Sequence, residues 1–115
     1  MHQSNILIDI ELDKDKIPEK ISWKASDSTA DEKQNAKAMM LAFWDGVDKS
    51  ALRIDLWTKE MMVDEMADFF YQAIFSMADT YQRATGYLDQ VDAMKKFAQD
   101  FYKMFKENEA NKNKS

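Results

Sequence analysis

Cysteine is absent from this chain of 115 residues; glycine occurs twice and proline once. Without a thiol there is no disulfide framework, thiolate zinc site, iron–sulfur cluster or cysteine nucleophile. So few glycines and prolines leave little chemistry for an all-β protein of tight turns, and favour helices beside a small sheet. Gly46 and Gly86 are isolated, so there is no glycine-rich phosphate loop. The single histidine, His2, sits where the chain is prone to fray. It anchors no catalytic triad, and serine or threonine nucleophiles are left without a histidine base. No run approaches the roughly 20 apolar residues needed to cross a bilayer. The apolar part of MHQSNILIDIELD is too short for a signal-peptide core and leads straight into acids. A cytoplasmic protein without membrane insertion is therefore expected. The formal net charge of −5 repels phosphate backbones, and nucleic acid is not an expected partner.

What the chain does have is large apolar side chains: seven Phe, four Tyr, three Trp and nine Met. They are enough for a core at this length, and one α+β domain over residues 1–106 is expected, followed by a disordered polar tail at 107–115. Ile6, Ile8, Ile10 and Leu12 alternate with Leu7, Asp9, Glu11 and Asp13, the period of a half-buried strand. Ile21, Trp23 and Ala25 alternate with Ser22, Lys24 and Ser26 in a second strand, so the two read as a hairpin. Residues 26–35 are polar and aperiodic and read as a loop, with one helical turn near 30–34. Residues 38–44 are apolar throughout, as in a strand covered on both faces. With the Asp45-Gly46 turn signal and the alternation of Leu52, Ile54 and Leu56, they predict a second hairpin whose outward row is Arg53, Asp55 and Trp57.

The period then becomes helical. Met62, Met66, Phe69, Phe70, Ala73, Ile74, Met77 and Tyr81 share one face of a helix that Gly86 stops. Val91, Met94, Phe97, Ala98, Phe101, Tyr102 and Phe105 form the stripe of a second helix over 89–106, supported by an Asp92–Lys96 pair. The expected architecture is a four-stranded antiparallel sheet of two β-hairpins, followed by two C-terminal amphipathic helices packed on one sheet face.

No catalytic, cofactor or metal residues are assigned. Asp13-x-Asp15 opens like a calcium loop, but Pro18 and Lys24 stand where glycine and a bidentate glutamate are required. Asp64, Glu65 and Asp68 are accounted for as acids at the positive end of a helix dipole. The methionines Met39, Met40, Met61, Met62 and Met66 serve equally as core filler or as an adaptable surface for apolar peptides. Two features exceed what one core requires. Two helices cover one face of a small sheet, so either Met39, Leu41 and Phe43 or Met40, Ala42 and Trp44 need another cover. Tyr71 and Phe75 lie on the first helix away from its apolar stripe. Both point to a protein partner or a homo-oligomer. The candidate partner-binding residues are Arg53, Asp55, Trp57, Met39, Leu41, Phe43, Tyr71 and Phe75.

AMMLAFWD at 38–45, LRIDLWTKEM at 52–61, VDEM at 63–66, MADTYQRAT at 77–85 and PEKISW at 18–23 together resemble the gliding-motility protein GldC family. The resemblance runs from about residue 5 to 106, and departs at Met61-Met62, where the family pattern opens its helix with proline. It implies an accessory role in bacterial gliding and its linked secretion machinery, and carries over no activity, cofactor or catalytic residue. Three functions follow: a non-enzymatic protein-interaction role in that apparatus; a chaperone for unfolded clients, similar in element order to the SecB export chaperones; and a small-ligand-binding domain.

Overall fold

The structure is a computed structural model that describes residues 2–26 and 32–112. It divides into two compact units, Met1–Met61 and Met62–Ser115.

In the first unit, β1 (Ile6–Leu12) pairs antiparallel with β2 (Pro18–Ala25), and β2 pairs with the short β3 (Gln34–Ala36). The register sets Ile8 opposite Trp23 and Ile10 opposite Ile21, and Ile21 opposite Ala36. One face of this sheet is thus apolar apart from Gln34, which stands opposite Trp23 at its edge, and Ile21, 1% exposed, lies at its centre. Asp13 shapes the β1–β2 turn. Its Oδ1 accepts from the backbone N–H groups of Asp15 (2.8 Å) and Ile17 (3.0 Å), while Lys16 takes a left-handed φ of 64°. Pairing slips between Glu11 and Leu12, a bulge that ends the ladder.

A second, two-stranded sheet joins β4 (Ala38–Asp45) to β5 (Ser50–Trp57). The Asp45 carboxylate caps the turn by accepting from the N–H groups of Val47 (2.9 Å) and Asp48 (3.1 Å). Lys49, not Gly46, supplies the left-handed residue, with φ 54°. At the other end Thr58, 3% exposed, clasps the ribbon shut. Its N–H (2.8 Å) and its hydroxyl (2.9 Å) both donate to the Lys37 carbonyl.

The expected single four-stranded sheet is therefore corrected to sheets of three and two strands. Sequence reading missed one strand: Gln34–Ala36 has no hydrophobic periodicity, yet its backbone fills the outer edge of β2, so the second hairpin does not pair there. Residues 27–31, part of the expected loop and helical turn, lie outside the described residues; Gln34 itself is extended.

The second unit is an antiparallel helical hairpin of α1 (Val63–Thr85) and α2 (Leu88–Lys112). α1 opens without a proline. The Glu65 carboxylate instead accepts from the Met62 N–H at 3.2 Å, and Asp64 and Glu65 occupy the first turn, where negative charge is favoured. Gly86 closes the helix at φ 72°, donating its N–H to the Gln82 carbonyl. Ala67, Ala78, Val91 and Ala98 are buried; such small side chains let two helices approach closely. α2 runs past the expected end at 106, because Glu107, Glu109, Ala110 and Lys112 are good helix formers. Lys96 pairs with Asp100 at 2.8 Å rather than with Asp92.

Candidate functional site

Most of the acidic groups weighed as metal ligands have structural work. Asp13 holds its turn and pairs with Lys59. That ammonium, followed by the Ile17 N–H, draws the Asp13 carboxyl from 3.8 down to about 2. Asp64 Oδ1 accepts from the Glu65 N–H at 2.9 Å, and Asp68 Oδ1 from the Gln72 amide at 3.2 Å. Among the described residues, no three His, Asp or Glu side chains converge as a metal site. No helix among them is long and apolar enough to cross a membrane.

The candidate partner residues separate by register. Leu41 stands opposite Ile54, Phe43 opposite Leu52 and Met39 opposite Leu56. Cross-strand partners share a face, so these six apolar side chains lie together on one face of the β4–β5 ribbon, with the polar pair Asp45 and Ser50 at its turn end. Arg53 stands opposite Ala42, Asp55 opposite Met40 and Trp57 opposite Ala38, with Trp44 opposite Ala51. The predicted row Arg53, Asp55 and Trp57 is thus brought together with Met40, Ala42 and Trp44, and set back to back with Met39, Leu41 and Phe43. Arg53 holds Asp55 in a two-pronged ion pair, Nε to Oδ2 at 3.1 Å and Nη2 to Oδ1 at 3.0 Å. The carboxylate raises the guanidinium above its ordinary pKa, chiefly through this hydrogen bonding.

Cover is unequal along the ribbon. Residues Ala38 to Leu41 are half-buried. They line an apolar cavity of about 210 Å³ with Ile6, Ile8, Ile21, Trp23 and Ala36. Its lining side chains are uncharged, and the Trp23 indole is the one among them with a polar group. Toward the turn both faces are open: Phe43 (59% exposed), Leu52 (56%) and Ile54 (50%) emerge on one side and Trp44 (69%) on the other, while Trp57 (60%) is exposed on that second face at the far end, opposite Ala38. Trp44, Leu52 and Ile54 were not singled out as candidates; counting cross-strand pairs outward from the Asp45–Ser50 closure would have found them.

Tyr71 and Phe75 lie at the α1–α2 seam. The Tyr71 ring is 5.1 Å from Tyr102 and 5.8 Å from Phe75. Lys95 lies over the Phe75 ring at 5.0 Å and pairs with Asp79 at 3.1 Å. What the helical hairpin leaves open is a neighbouring strip: Phe70, Met77, Phe97 and Met104, each 41–62% exposed. Phe101 links Phe70 to Phe97, with both ring separations 6.4 Å.

The chain belongs to the GldC-like family: the family model described as gliding motility-associated protein GldC-like matches residues 18–107. The match spans β2 to α2 and includes every candidate partner residue. No curated protein and no solved structure matches the chain.

Proposed function

We propose that this gliding motility-associated chain is a non-enzymatic accessory protein of gliding and of the secretion machinery linked to it. It acts in the cytoplasm by binding protein through the β4–β5 ribbon. One observation carries the reading. A two-stranded ribbon is marginal in water by itself, yet this one exposes Phe43, Trp44, Leu52, Ile54 and Trp57 on its two faces. Covering each half-exposed side chain is worth on the order of 1 kcal/mol. Trp and Arg, both present here, are common interface anchors.

The test is complementation of a gliding bacterium lacking the gene. A Trp44→Ser/Trp57→Ser protein with an unchanged circular-dichroism spectrum is expected to leave gliding unrestored. Full restoration by that variant would reject the reading.

The open strip Phe70, Met77, Phe97 and Met104 supports a second reading, a chaperone that holds unfolded clients, because flexible methionine and aromatic surfaces accept varied apolar sequences. It requires that the purified chain delay the light scattering of an aggregating client; a chain that does not do so leaves the partner reading alone.

A further inference from the structure

We propose that two copies of this chain join along the outer edge of β5, in a register centred on Ile54, to make a continuous antiparallel sheet in the order β4–β5–β5–β4. The inference rests on the reading of the ribbon as the interaction surface and names its first occupant: a second copy.

Among the described residues the outer edge of β5 has no strand partner. Natural sheets blunt such edges with bulges, very short strands, lysine or proline. β1 carries a bulge and β3 is three residues long. β5 is eight residues, SALRIDLW, with seven of its positions exposed. It holds no lysine, proline or glycine, and its pairing with β4 runs unshifted from Trp57 to Ser50. β4, the other edge of the ribbon, is equally long and unblunted, but its single charge is Asp45; β5 alone carries both signs of charge, which a symmetric pairing can match.

Hydrogen-bond phase then limits the register. The Thr58 N–H donates to Lys37, which makes 37/58 a hydrogen-bonded pair of the ladder. Such pairs alternate with non-bonded ones in an antiparallel ladder. Leu52, Ile54 and Leu56 therefore bond inward to β4, while Ala51, Arg53, Asp55 and Trp57 present their N–H and C=O groups outward. A symmetric pairing of two β5 edges must join these outward residues to each other and keep like faces together. Three central registers satisfy both conditions. One sets Arg53 against Arg53, and another sets Asp55 against Asp55. Each places like charges directly opposite, which is destabilising. The third is centred on Ile54. It sets Arg53 against Asp55 twice, Leu52 against Leu56 twice, and the small Ala51 against the large Trp57. Charge, hydrophobicity and size all favour this register, and the Arg53–Asp55 pair within each strand becomes a square of four alternating charges.

Charge exchange and a single thiol test it. Sedimentation of the wild type is expected to approach twice 13.5 kDa as concentration rises. Arg53→Asp and Asp55→Arg proteins should each sediment as monomers, and an equimolar mixture of the two should regain the dimer. Because the chain has no cysteine, Ile54→Cys adds a single thiol. Ile54 would face its copy across the axis in a non-bonded pair, and mild oxidation should yield a disulfide dimer. Val47→Cys, 91% exposed in the turn, should not. A wild type that stays monomeric at every concentration overturns β5 pairing, as do charge variants that dimerise alone or an Ile54→Cys protein that does not cross-link. None of these outcomes touches the complementation result. Conversely, restored gliding by the tryptophan variant rejects the functional reading while leaving a measured dimer in place.

Discussion

Asp13 shows how one carboxylate is put to use in a small domain. It accepts two backbone N–H groups of its turn and meets Lys59 from beyond β5, tying the two ends of the first unit together. Its folded pKa is about 2 against an ordinary 3.8. A carboxyl with a depressed folded pKa contributes stability above its unfolded pKa and loses it as pH falls through the folded value. The difference in denaturation midpoint between wild type and Asp13→Asn is therefore expected to be present at pH 7. It should close between about pH 4 and pH 2, because protonation then does to the wild type what the substitution did. A difference constant across that range would contradict the ion pair. In the sequence Asp13 read as part of a polar turn. The lysine that fixes its charge lies 46 positions away, and no local pattern reports such a pairing.

At the scale of elements, periodicity was a good guide to which residues form strands and helices. The alternation in β1 and β5 and the apolar stripes of both helices all mark real elements. Pairing was less legible. A side-chain pattern says which face is apolar, but not which neighbour a backbone edge will take. The three residues of β3, held by backbone pairing, take the outer edge of β2 without any side-chain pattern to announce them. Turn chemistry misled in a similar way. Asp45-Gly46 marked the β4–β5 hairpin correctly, yet the left-handed residue is Lys49, and a Cβ added at Gly46 meets nothing within 4 Å. Lys49→Gly is therefore expected to stabilise the protein by about 0.5–1 kcal/mol through relief of left-handed strain. Gly46→Ala should stay within about 0.5 kcal/mol of wild type. Thermal melts of the two variants check the assignment, and the reverse order would move the left-handed position to the glycine.

Tyr71 and Phe75 show which part of α1 meets α2. Of the sequence stripe, Met66, Phe69, Ala73, Ile74 and Tyr81 are half-buried, and the buried alanines Ala67, Ala78 and Ala98 let the helices approach. The seam therefore takes in one side of the stripe. Tyr71 and Phe75 are drawn toward α2, and Phe70 and Met77 are left open. Side-chain size, more than hydrophobicity, set the contact.

For the molecule as a whole, the fully buried large side chains among the described residues are few, Ile21 in the first unit and Val91 in the second. A chain with 45% hydrophobic residues and so small an interior is expected to complete its burial with another chain. On the reading proposed above, the surplus of apolar strand residues is the surface through which the protein works.

The central claim is that the β4–β5 ribbon, joined along β5, is what the gliding apparatus uses. Gliding speed in cells lacking the gene tests it most directly when Arg53→Asp and Asp55→Arg proteins are supplied separately and then together. The account predicts no gliding with either variant alone and recovery when both are present, since opposite charges then meet across the edge. Wild-type gliding with each variant alone, or none with the pair although both accumulate folded, would contradict it.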